Sequence, residues 1–159
     1  MLWIDIVRWL HVLGATVLLG TGAGIAFFMV MAVRTRQPQL IAHVAKTVVV
    51  ADLLFTATAV ILQPITGALL ARGMGWSVTQ GWIALSLGLY VVTGVFWLPV
   101  IWIQIRLRDL AQASAVGNEP LPARFDRLYR MWLACGFPAF AAVLVIIWLM
   151  LTRPPLIWP

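Results

Sequence analysis

His11 is the residue most out of keeping with its surroundings. It is a lone imidazole near the start of an apolar run from Trp3 to Ala32, WIDIVRWLHVLGATVLLGTGAGIAFFMVMA. Asp5 and Arg8 precede it, and from Val12 to Val33 no side chain ionises. A polar ring inside an apolar span is costly, so it is expected to have a task. Arg8 sits one turn above His11, and Arg72 falls at the same end of a later run. An imidazole beneath two guanidiniums suits an axial ligand to a haem b iron, with the arginines pairing to the propionates. On this reading Gly14 and Ala15 let a flat macrocycle approach, and Gln63 lies at a similar depth with Thr66, Ser86 and Met150. A second reading stays open, in which His11 only bonds a neighbouring helix, with Gln63 as the partner.

Asp52 is the other candidate. It is the one carboxylate well inside an apolar stretch, VVVADLLFTATAV. It suits a proton relay or a group that binds a solute. It equally suits a structural bond to a Trp, to Tyr90 or to a carbonyl freed near Pro99. Lys46, Arg106 and Arg130 are the bases that could reach it. His43 is the only other histidine. At about 1.5 Å rise per residue it lies most of a membrane away from His11, so the two cannot share one iron within a chain. It reads as an exposed residue near the end of the second run. Cys135 is alone, which excludes an internal disulfide and a Cys-based zinc site, and it reads as packing. Met29 and Met31 fall on different helix faces with no histidine beside them, so no copper cluster is expected.

These residues need elements to position them, and the composition says which. Of 159 residues, 63% are hydrophobic and 10% charged. That balance fits an all-α polytopic membrane protein and leaves no room for a soluble catalytic domain. Four apolar runs, roughly 4–33, 45–71, 80–105 and 130–152, each exceed the ~20 residues a spanning helix needs. They make one transmembrane domain, a four-helix bundle, with a polar loop at about 106–129. Within that loop IRLRDLAQA has the spacing of a short amphipathic helix. The first run is too long for the core of a cleaved leader and no small-residue cleavage site follows it, so it is expected to remain as a span.

The net charge of +6 does not point to nucleic acid, because the bases sit at the ends of apolar runs. Arg34, Arg36, Lys46, Arg106, Arg108, Arg124, Arg127 and Arg130 share one side, against Arg8, Arg72 and Arg153 on the other. The positive-inside rule then expects both termini outside and the basic loops in the cytoplasm of a bacterial inner membrane. Trp3, Trp9, Trp76, Trp82, Trp148 and Trp158 make an outer interfacial belt, with Trp102 and Trp132 at the inner boundary. Pro64, Pro99 and Pro138 fall inside later runs and should kink them. Gly20 and Gly24 form a GxxxG that permits close approach of a helix or a flat ligand. Lipids are the expected surroundings, and a homo-oligomer or a place in a larger membrane complex the expected assembly.

WLHVLGATVLLGTGAG, ADLLFTATAVILQPITGALLA, GVFWLPVIWIQIRLRDLA and WLACGFPAFAAVLVIIWLMLTRP occur in order and resemble a bacterial family of small predicted integral membrane proteins of unknown function. More distantly, the early His, Pro64 with Gly67, Pro138 and the Arg153-Pro154 ending resemble the HemJ and CopD-like membrane proteins. That resemblance implies haem b on His11 and a HemJ-like oxidoreductase. Gly81 to Gln104 holds no Lys or Arg where HemJ-type proteins carry a basic residue, so haem binding transfers more readily than protoporphyrinogen oxidation. Copper uptake of the CopD kind lacks its Met/His cluster. Three readings therefore stand: a haem redox protein, a non-enzymatic accessory subunit, and a small transporter or proton conductor centred on Asp52.

Overall fold

Long apolar stretches without internal breakers other than three prolines leave the backbone one economical choice. Inside hydrocarbon every N–H and C=O must be bonded within the protein, and a helix does this within itself. A computed structural model of the chain, describing residues 2–155, accordingly has four helices long and apolar enough to span a membrane. They are α1 (Leu2–Arg34), α2 (Pro38–Gly73), α3 (Gly81–Gly117) and α4 (Ala123–Thr152). The all-α, four-span expectation holds. Trp158 lies outside the described residues.

The ends follow local chemistry. Pro38 opens α2 at its first turn, where the missing N–H costs nothing. Asn118 ends α3 in the left-handed conformation at φ 51°, which its short polar side chain tolerates. Arg153 ends α4 in the same conformation, and Pro154 and Pro155 follow. Residues 106–117, expected as loop with a short amphipathic helix, are the last turns of α3 itself. Leu107, Ala111 and Ser114 recur at helical spacing and are buried, so packing extends the helix beyond the apolar run. For the same reason α4 begins at Ala123 rather than near Arg130, with Phe125 and Leu128 inside.

Packing is uneven along the bundle axis. At the basic end Met29, Ile41, Ala45, Ile103, Leu107 and Phe125 form a dense core drawn from all four helices. Arg36 pairs with Asp126 there at 2.7 Å, tying the first loop to the start of α4. Away from that end the molecule divides. The second half of α2 packs on α1, and α3 packs along α4, while α1 and α4 touch only sparsely. The division begins at residues Asp52–Thr56, where α2 contains one π-helical turn with the Ala57 N–H bonded to the Asp52 carbonyl. Such a turn carries a wider, i→i+5 hydrogen bond and shifts the register of the helix beyond it.

Pro64 lies one turn further on. It has no N–H to give the carbonyl of Val60, four residues before it. The Tyr90 hydroxyl, from α3, donates to that carbonyl instead. This bond joins the two helix pairs across the gap. At the end bearing the termini, Arg153 lies over the Trp76 ring at 4.7 Å, and Trp76 meets Trp82 edge to face.

Candidate functional site

The expected haem site separates into two places. His11, Gly14 and Gln63 come together where α1 crosses α2. The Thr66 hydroxyl donates to the carbonyl of Leu62 at 2.8 Å, so its oxygen is left to accept, and His11 Nδ1 lies 2.8 Å from it. That arrangement puts the proton on Nδ1 and leaves Nε2 with its lone pair. Nε2 has no protein partner among the described residues. Gln63 Nε2 donates to the backbone carbonyl of His11 at 2.8 Å. Two glycines make the contact possible. A Cβ on Gly14 would come 2.5 Å from the Gln63 amide nitrogen, and one on Gly67 would come 3.4 Å from His11 Cε1.

Arg8 and Arg72 do not join them. Both are exposed, and Arg8 pairs with Asp5 at 3.3 Å and reaches Met74. Ser86 is turned onto its own helix at the Trp82 carbonyl, and His43 is exposed. The two arginines expected as propionate partners are thus not gathered at His11. Gly20 and Gly22 have no neighbour close enough to meet a Cβ, so this stretch of α1 makes no close helix contact among the described residues.

The larger gathering of polar groups surrounds Asp52, which is 4% exposed and stands at the first residue of the π turn. Trp97 Nε1 donates to its Oδ1 at 3.4 Å. With the Gln104 amide oriented to satisfy both of its ends, its nitrogen donates to Asp52 Oδ2 at 3.3 Å. The oxygen of that amide accepts from Trp132 Nε1 at 3.2 Å. Trp97 and Gln104 are seven residues apart, hence on one face of α3. Three helices thus meet in one hydrogen-bonded chain. No ion pair reaches Asp52 from Lys46, Arg106 or Arg130, and the pairs formed among the described residues lie elsewhere. Thr56 Oγ1, one turn along, is buried without a partner among the described residues.

Beside this chain is a cavity of about 330 Å³, bounded by all four helices. Asp52, Thr56, Trp97, Gln104 and Trp132 stand on its wall. The rest is apolar, with Gly22 and Gly136 giving it width and Phe137 and Phe140 facing it. A second cavity of about 100 Å³ reaches from Trp97 and Thr93 up to Gln63 and Tyr90. The two are adjacent and share Leu18, Val60, Thr93, Trp97 and Val143 as lining. Together they run from the level of Gln63 to Asp52 and stop at the dense core of the basic end. His11, Arg8, Arg72 and Gly14 line neither.

Over residues 5–154 the sequence matches the family described as predicted integral membrane protein (DUF2269). The chain belongs to that family. No curated protein and no solved structure matches it. Membership agrees with four spans and names no reaction, so the functional argument returns to the cavity.

The bond to a Trp expected for Asp52 is made by Trp97, whereas Gln104 and Trp132 are residues that sequence reasoning missed as site members. Trp132 was expected at the inner boundary. It is 5% exposed, in the core near the basic end, with its indole N–H bonded to the Gln104 amide. The signal for Gln104 was present: it is an amide at the end of an otherwise apolar run, one heptad from a Trp.

Proposed function

We propose that the chain is a small transporter or proton-conducting protein of the bacterial inner membrane, with Asp52 as its working group. The observation that carries this is one buried carboxyl, without a cation partner among the described residues, on the wall of a half-open cavity lined by all four helices. An ionised carboxylate in such a place needs a compensating charge. Among the described residues the carboxyl has N–H donors from Trp97 and Gln104 and no paired cation, so the compensating charge comes and goes with what is carried, at simplest a proton. The cavities extend toward the end that bears the termini and stop at the dense core of the basic end, as one face of an alternating cycle would. Liposomes containing the protein should dissipate an imposed pH gradient, read by a trapped pH dye. Asp52→Asn should slow that flux by at least about tenfold, since it removes the only carboxyl on the cavity wall. Unchanged flux in the variant would overturn the reading.

A second reading keeps haem b on His11, in line with the resemblance to HemJ-type proteins. It is favoured by the Thr66 bond, which holds Nδ1 and leaves Nε2 available, as partners of ligating histidines do. Protein purified after haem-replete expression would then show a Soret band, lost in His11→Ala and kept in His43→Ala. A colourless wild type removes it.

A further inference from the structure

The cavity has a composition more particular than proton conduction requires. A proton path needs polar groups or water along its length. In the larger cavity, Thr93 apart, whose hydroxyl donates to the Leu89 carbonyl, the polar groups gather around Asp52, and the remaining wall is aliphatic or aromatic. That is the pattern of a pocket for an apolar body with one polar head. The head region has a definite sign. Asp52 is the only acid inside a span, the other four being Asp5, Asp109, Glu119 and Asp126 near helix ends or in a loop. The charged and titratable groups on packed elements are Arg34 on α1, Lys46 on α2 itself, Arg106 on α3, and Tyr129, Arg130 and Cys135 on α4. None makes a hydrogen bond or ion pair with Asp52. Thr56 Oγ1, 6% exposed and on the same wall, is a second polar atom without a partner among the described residues. Trp97 and Trp132 stand on the same wall, Trp97 with its indole N–H on the carboxylate and Trp132 one hydrogen bond further along, through Gln104.

We infer that the cavity binds a lipophilic organic cation, its charged head at Asp52 and its apolar body between α1 and α4, in exchange for the carboxyl proton. This rests on the reading of Asp52 as the working group and names what that group carries. The exchange balances in charge and atoms. A protonated carboxyl and an incoming monocation give a carboxylate–cation pair and one released proton, so the site is neutral in both states. That neutrality avoids an unpaired buried charge at either stage. Entry from the lipid suits such a ligand, since α1 and α4 are barely in contact beside the cavity.

The probes are tetraphenylphosphonium and the smaller benzyltriethylammonium, with tetraphenylborate as an anion of the first probe's shape. Equilibrium dialysis of the detergent-purified full chain should show saturable binding of at least one cation. That binding should weaken by about tenfold or more from pH 8 to pH 5, because the proton competes for one carboxyl. Asp52→Asn should lose it by a similar factor, while Asp52→Glu, which keeps the carboxylate, retains it and guards against misfolding. Binding of tetraphenylborate as tight as that of its cationic twin would overturn the inference. So would undiminished binding by Asp52→Asn, or no saturable binding of either cation. If Asp52→Asn stops proton flux while the wild type ignores both cations, the inference falls and the transport reading stands. If flux survives in Asp52→Asn, both fall.

Discussion

Single residues in this bundle matter mostly through what they leave unsatisfied. Pro64 and Tyr90 show this most directly. The proline withholds a donor from the Val60 carbonyl, and the phenol of the facing helix supplies one. Neither residue is explained without the other. Tyr90→Phe should therefore destabilise the detergent-solubilised protein by about 1 kcal/mol, the scale of one interhelical bond with a stranded carbonyl. In a Pro64→Ala background the backbone N–H that the substitution restores can take the Val60 carbonyl itself, and the same Tyr90→Phe change should cost close to nothing. Thermal unfolding of the four proteins in this cycle measures the coupling. Equal costs in the two backgrounds would show that the phenol is held by packing and not by the proline's missing donor. The His11 contact is of the same kind. Its ring lies against Gly67, and Thr66 fixes its tautomer. Its neighbours bear on helix contact more than on a porphyrin.

At the scale of the element, the sequence was legible where physical chemistry is one-dimensional. Apolar length fixed the number of spans, and Pro38, Gly117-Asn118 and Arg153-Pro154 marked where helices start and stop. Apolar length could not mark the true end of α3. Leu107, Ala111 and Ser114 are interspersed with Arg106, Arg108 and Asp109, and only the partner surface at Ile41 and Phe125 shows which face is buried. Nor was the π turn legible. ADLLFTA is as apolar as its surroundings, and a π turn leaves no compositional mark. Yet that turn places Asp52 and Thr56 on the cavity wall and starts the divergence of the two helix pairs. Asp52 was thus identifiable as a candidate from its type and depth, and a Trp as one partner, whereas the network through Gln104 was not. Trp97, Gln104 and Trp132 come from two other helices, and their meeting depends on rotations about each axis that hydropathy does not encode. The expected grouping of both arginines with His11 fails on the same ground. Arg8 and Arg72 do lie at the His11 end of the bundle, but shared depth is not shared direction.

For the whole molecule the governing feature is a difference between its two ends. One holds Arg34, Arg36, Lys46, Arg106, Arg108, Arg124, Arg127 and Arg130 around a dense core; the other holds Arg8, Arg72 and Arg153 around a divided one. Two independent consequences coincide at the basic end. Bases there favour retention in the cytoplasm. The Met29, Ile41, Leu107 and Phe125 packing there closes the cavity. If the positive-inside rule governs, the cavity is closed toward the cytoplasm and reached from the outer half of the membrane. Impermeant thiol labelling decides the orientation, because Cys135 is the only native cysteine and can be replaced by Ala. In that background Asn118→Cys, in the turn after α3, should label only after cells are permeabilised. Ser77→Cys, in the exposed turn between α2 and α3, should label in intact cells. The opposite pattern would put the closed end outside. Asp52 would then be reached from the cytoplasmic half, and the direction in which the exchange runs would reverse with it.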